Sequence, residues 1–205
     1  MKALFLLKAS TARTSPDFSI KSLAGSSGRL DVVCRCLIAA LAKPGGIRRF
    51  VEFQAVLEGP PNPPKLLVVK GEELRELPLS EVEVAEQIFK VLQGLKVEGF
   101  QLLEKISFRK AVDKVVDRGF QLIYLHEKGG KLKDMLRGEK IAFVLGDHLG
   151  LDRDSEAYLD SKGAVRVSLG PHSYMASHCI AAVLRELGVV LAERSPEMVE
   201  ALKDC

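Results

Sequence analysis

The chain has 205 residues and a formal net charge of +3, with 47% apolar and 28% charged residues. That length suits one domain, or one domain with a sizeable elaboration, and the apolar share is enough for a packed core. A surplus of three cations does not mark a nucleic-acid binder, and no run approaches the roughly eighteen apolar residues of a membrane span.

Residues 2–8 are continuously apolar between two lysines, which predicts a strand covered on both faces. The run of about five apolar residues is too short for a signal peptide, so a soluble, cytoplasmic protein is expected. Ser27 is placed to cap a helix in which Leu30, Val33, Cys34, Leu37, Ile38 and Leu41 recur at helical spacing. Lys43-Pro44-Gly45-Gly46 stops it. Residues 51–57 and 66–69 read as strands, joined through the rigid turn Pro60-Pro61-Asn62-Pro63-Pro64.

A helix follows over 80–93 and, capped by Ser107, another over 108–116. Residues 95–105 between them read equally as strand or loop. Strands at 121–125, 141–145 and 165–169 then alternate with a short basic helix at 132–136, a helix at 155–159 and one at 175–187. Pro196 is placed to open a terminal helix. Alternation of this kind predicts an α/β fold, a mostly parallel sheet flanked by helices.

Ligands of open parallel sheets sit beyond the carboxyl ends of the strands. Three post-strand loops there carry glycine and polar groups: Leu125-His126-Glu127, Gly146-Asp147-His148-Leu149-Gly150 and Leu169-Gly170-Pro171-His172. The chain lacks the phosphate-binding, dinucleotide and nucleophile-elbow glycine motifs. Its four cysteines show no paired spacing and its histidines match no ligand pattern, so no metal is expected. Cys34 and Cys36 read as small core residues, and a reduced compartment fits the absence of a disulfide framework.

These loops, with His178-Cys179 in the following helix, resemble the SPOUT methyltransferases. Further motifs narrow the match: Gly25-Ser-Ser-Gly-Arg-Leu-Asp, Ile47-Arg-Arg, Gly59-Pro-Pro-Asn-Pro-Pro, Tyr124-Leu-His, Ser168-Leu-Gly-Pro and Ser177-His-Cys-Ile. Together they resemble the archaeal tRNA (pseudouridine-54) N1-methyltransferases over nearly the whole chain. The resemblance implies one domain over 1–205, with a deep trefoil knot over 118–190, and a homodimer. It implies S-adenosylmethionine as cofactor, methylation of N1 of pseudouridine 54, and tRNA as partner. Carried over, the cofactor contacts are Leu125, His126, Gly146, Asp147, Leu169, Gly170, Pro171, His172, Ser173, Tyr174 and Cys179.

On the substrate side, Arg29, Arg35, Arg48 and Arg49 are candidates for gripping RNA phosphates, as guanidinium does well. Asp31 either orients or deprotonates the target base, or only holds an arginine. Asn62 reads a base edge or ribose, or bonds its own turn. Lys128, Lys131, Lys133 and Arg137 either steer tRNA or form a solvated face. The competing readings are a noncatalytic RNA-binding or assembly factor of the same fold, and methylation of another RNA position, such as a ribosomal RNA pseudouridine.

Overall fold

The structure, a computed structural model, describes residues 1–170 and 174–194, with backbone alone over 191–194. The helix expected from Pro196 lies outside the described residues. The chain runs through β1 (Lys2–Ala9), α1 (Leu23–Ser26), α2 (Leu30–Leu41), the small hairpin β2 (Ala42–Lys43) and β3 (Gly46–Ile47), then β4 (Val51–Leu57) and β5 (Lys65–Lys70). It continues through α3 (Glu81–Leu92), β6 (Phe100–Glu104), α4 (Phe108–Asp117), β7 (Gln121–Lys131) and α5 (Leu132–Met135). It ends with β8 (Lys140–Gly146), α6 (Arg153–Ser161), β9 (Val165–Ser168) and α7 (Ala176–Arg194).

Seven strands form one sheet in the order β6-β5-β4-β1-β8-β7-β9. From β4 to β9 every pairing is parallel, whereas β5 and β6 add an antiparallel edge. β1 is central, which explains its uninterrupted apolar run. Ala3, Phe5, Leu7 and Ala9 enter the core that packs α2, α3 and α7, while Leu4 and Leu6 enter the core under α4 and α6. In register, Phe5 lies between Phe53 and Phe143, and its ring stacks on Phe143 at 5.4 Å. Each such buried side chain contributes about 1.5–3 kcal/mol.

The helices follow their local signals. α4 buries Phe108, Ala111, Val112 and Val115, one stripe at 3.6-residue spacing. The Ser107 and Ser80 hydroxyls accept from the backbone N–H of Lys110 and Glu83. Ser27 works differently from a simple cap. Its Oγ accepts from Leu30 N at 3.0 Å, but the residue leading into α2 is Arg29, in the left-handed region at φ 69°. The ambiguous stretch resolves as β6, paired with β5, and β7 runs six residues past Leu125 to Lys131.

One buried cation departs from the apolar pattern. Lys8, at the end of β1, reaches Asp152, Ser155 Oγ (2.9 Å) and Glu58 Oε2 (3.6 Å), beside the Phe108 ring. Burial raises the Glu58 carboxyl above its ordinary value, only partly countered by Lys8. A raised acid costs stability once ionised, so Glu58→Gln is expected to raise the thermal midpoint at pH 7. The expected gain is about 2–4 °C, the effect of ~1 kcal/mol in a chain of this size. The gain should vanish as pH falls through the folded pKa, which thermal melts at pH 4 and pH 7 will show.

Candidate functional site

The carboxyl ends of β7, β8 and β9 open on a cleft of about 670 Å³. That volume suits a nucleoside-sized ligand. Leu125, Leu145, Val167 and Leu169 form its apolar wall. Glu127, Glu156, His126 and His148 supply polar groups, and Arg29 and Arg35 stand at its α2 side. Cys179 and Tyr174 close it from the α7 side. Of the residues predicted to hold a cofactor, Leu125, His126, Gly146, Asp147, Leu169, Gly170, Tyr174 and Cys179 all line this one space. Pro171, His172 and Ser173 lie outside the described residues.

The β8 loop is tightly built. A Cβ on Gly146 would run into the Gly150 backbone, so this glycine is required by the turn itself. Asp147 accepts from Ser10 N (2.7 Å) and Leu149 N (2.9 Å), and its own N–H donates to Lys8 O (3.0 Å). The β9 loop is held by Ser168, whose Oγ accepts from Gly170 N and donates to Gly170 O. Gly170 has φ +132°, a conformation that favours glycine. Cys179 is half-buried, and burial pushes its thiol pKa up. It is therefore a weak nucleophile at neutral pH and serves better as a packing surface.

The α2 entrance is organised by Asp31. Its carboxylate accepts from Arg29 Nε (3.0 Å), Arg29 NH2 (3.1 Å) and Arg35 NH2 (2.8 Å), while Arg35 NH1 also reaches Glu81 (3.1 Å). Burial works to raise the Asp31 pKa, but the arginine hydrogen bonds outweigh it and hold the carboxyl below the ordinary value. The side chain is only 5% exposed and lines no part of the cleft.

Two predicted RNA contacts are placed elsewhere. Arg48 and Arg49 precede β4, at the amino ends of the parallel strands. About 20 Å of strand separates that edge from the cleft. Arg48 donates to the carbonyls of Ala39, Ala40 and Ala42, satisfying the end of α2. Arg49 donates to those of Gly71 and Leu74. Adjacent arginines in sequence gave no hint of these backbone partners. Asn62 is exposed in the loop after β4, on the cleft's edge of the sheet, and its N–H donates to Thr14 Oγ1. Val32, Glu156, Val167, Met175 and Ser177 also line the cleft. Only the fold brings them there, because each reads locally as an ordinary helix or strand position.

A cleft over the carboxyl ends of parallel strands, walled by leucine and valine and flanked by arginines, defines an α/β enzyme that takes a nucleoside-like ligand. The family model described as "Putative SAM-dependent RNA methyltransferase" matches residues 1–189, and the chain belongs to that family. A Thermococcus gammatolerans protein named tRNA (pseudouridine(54)-N(1))-methyltransferase is 38% identical over 188 residues, 86% of this chain and 92% of its own. A Pyrococcus abyssi protein of the same name is 36% identical over 203 residues, 91% and 98% of the two chains. In fold, the chain is similar to Archaeoglobus fulgidus Nep1 bound to S-adenosylhomocysteine, with a TM-score of 0.67, 19% identity, and coverage of 93% and 99%. Among the described residues, no helix is long and apolar enough to cross a membrane.

Proposed function

We propose that the protein transfers a methyl group from S-adenosylmethionine to N1 of pseudouridine 54 in the T-loop of tRNA. The observation that carries this reading is 38% identity along 92% of a relative bearing that name. The donor set fits the cofactor. Leu125 and Leu169 would flank a flat adenine, loop backbone would meet its polar edge, and the Cys179 thiol would pack against the ligand. Carboxylates of Glu127 and Glu156 suit a ligand carrying positive charge. Bound there, the cofactor supplies an electrophilic methyl group. Pro171, His172 and Ser173 belong to the same proposed site.

Arg29 and Arg35 grip RNA phosphate at the entrance, and Asp31 sets their positions. Arg48 and Arg49, at the far edge, act chiefly on the fold. The reading extends to one cytoplasmic domain, a homodimer, and a trefoil knot over 118–190. Support for the knot comes from β9, which pairs with β7 first at 123–125 and again at 130–131. The intervening chain presses close enough that a Cβ on Gly129 would collide with the Val167 backbone. Support for the dimer comes from exposed Leu149, Tyr174, Met175 and Val189.

The test is incubation with labelled S-adenosylmethionine and T-loop RNA carrying either pseudouridine or uridine at position 54. Label is expected only with pseudouridine, because uridine N1 is bonded to the sugar and has no hydrogen to lose. Equal labelling of both would reject the N1 assignment. Cofactor-free RNA binding would favour an assembly factor.

A further inference from the structure

N1 of pseudouridine must lose its proton as the methyl group arrives, and the cleft has to provide somewhere for that proton to go. Asp31 has both oxygens engaged by arginines and stands behind the cleft wall. Asp147 is 3% exposed, and its oxygens are occupied by the N–H groups of Ser10 and Leu149. Glu127 and Glu156 line the cleft, but a carboxylate is a weaker base at neutral pH than an imidazole. Among the described residues that line the cleft, that leaves His126 and His148, and their ring nitrogens are not equivalent.

His126 Nδ1 accepts a hydrogen bond from Lys128 N at 3.0 Å. Its proton therefore sits on Nε2, which faces Glu156 at 3.9 Å, so the neutral ring has no lone pair to offer. His148 is the opposite case. Its Nδ1 faces Asp147 Oδ1 at 3.6 Å, which favours a proton on Nδ1. Among the described residues nothing pairs with its Nε2. The ring is one-third exposed and lines the cleft.

The ring also rides on a fixed support. Asp147 N–H donates to Lys8 O on β1, Gly150 N–H donates to Asp147 O (3.1 Å), and the carboxylate ties Ser10 to Leu149. A carboxylate anchored in this way behind an imidazole is the arrangement that orients a general base. The 3.6 Å approach is longer than a hydrogen bond, as such contacts often are before substrate binds.

We propose that His148 Nε2 accepts the N1 proton of pseudouridine, with Asp147 holding the opposite ring nitrogen; this rests on the function proposed above. The N1–H bond breaks and its proton passes to Nε2. The electron pair left on N1 forms the N–CH₃ bond as the S–CH₃ bond breaks, and the bonding pair of the broken S–C bond stays on sulfur. The imidazolium then releases its proton to solvent. No co-reactant beyond donor and RNA is required.

Two measurements test this. Long-range ¹⁵N–¹H NMR on the free protein is expected to show His148 as the Nδ1–H tautomer and His126 as the Nε2–H tautomer. An Nε2–H tautomer at His148 would overturn the proposal without reference to turnover. In single-turnover transfer, His148→Ala and His148→Gln are expected to be slowed about 100-fold or more. Added imidazole should partly restore His148→Ala, a rescue that loss of a merely structural side chain would not give. Variants within threefold of the wild-type rate would also overturn it. If wild-type protein transfers nothing to pseudouridine, the functional reading fails, and the tautomer still decides whether His148 is set up as a base.

Discussion

Gly28→Ala is expected to lower the thermal midpoint by about 6–12 °C and to weaken the cleft entrance with it. Gly28 has φ +63°, and an added Cβ would overlap the Thr11 carbonyl oxygen and stand 2.8 Å from its carbon. A side chain at left-handed φ costs about 1–2 kcal/mol, and overpacking against backbone adds about 1–3. About 3 kcal/mol in total gives that shift at roughly 2–4 °C per kcal/mol. The chain segment that would have to move is held from several sides. Thr11 Oγ1 donates to Gly28 O, Arg13 N to Ser27 O, and Gly59 N to Ala12 O. Gly45→Ala is the control. It shares a positive φ of +76° but meets nothing within 4 Å, so only the conformational cost of about 1–2 kcal/mol remains, about 2–8 °C. Equal shifts in the two variants, read by circular dichroism, would show that close packing at Gly28 is not the constraint.

Asp31→Asn should reduce tRNA affinity about tenfold and single-turnover transfer about 100-fold. Three charge-assisted hydrogen bonds end on this carboxylate, and such bonds are about twice as strong as neutral ones. Without the charge, Arg29 and Arg35 lose the shared partner that fixes both guanidinium groups, and Arg29 has less to hold it at φ 69°. The folding cost is more modest, about 1–3 kcal/mol, because Arg29 is 40% exposed and turns to solvent. A base and a clamp give different results here. If Asp31 only takes a proton, tRNA affinity holds while the rate collapses, and the salt dependence of binding is unchanged. If it sets the arginines, affinity falls and the slope of affinity against salt decreases by about one phosphate contact. The sign with pH follows from its depressed pKa. The stabilisation it gives is complete above the unfolded value near 4 and is lost as pH falls through the lower folded value. Wild-type protein should therefore lose more stability than the variant on acidification below about pH 4.

Much of the fold was legible because it follows local rules. The β1 run implied burial on both faces, and β1 lies mid-sheet. Val84, Ile88, Val91 and Leu92 implied the inner face of α3, and all four are buried. Other features depend on distant partners. β6 is short and half-buried at the edge of the sheet, with β5 as its strand partner, so its alternation was too weak to separate strand from loop. Lys8 read as the polar end of a strand, yet it is buried because α6 brings Asp152 and Ser155 to it from 144 and 147 residues away.

The cleft divides in the same way. The glycine-bearing loops after β7, β8 and β9 were visible, since a parallel sheet places such loops at one edge. Asp31 and Arg35 were visible as a helical i, i+4 pair, but Arg29 joins them only through a left-handed turn that spacing does not encode. By itself the sequence determined most of the elements, the mostly parallel sheet and the edge that carries the cleft, because periodicity and turn chemistry act over a few residues. Only the tertiary structure decided that Arg48 and Arg49 sit at the opposite edge, that Asp31 is enclosed by arginines, and that the Nδ1 atoms of His126 and His148 face different groups, the Lys128 N–H and the Asp147 carboxylate. Those outcomes depend on which backbone and side-chain groups meet across the sheet, and hydrogen-bond partners fixed over long sequence separations leave no local trace.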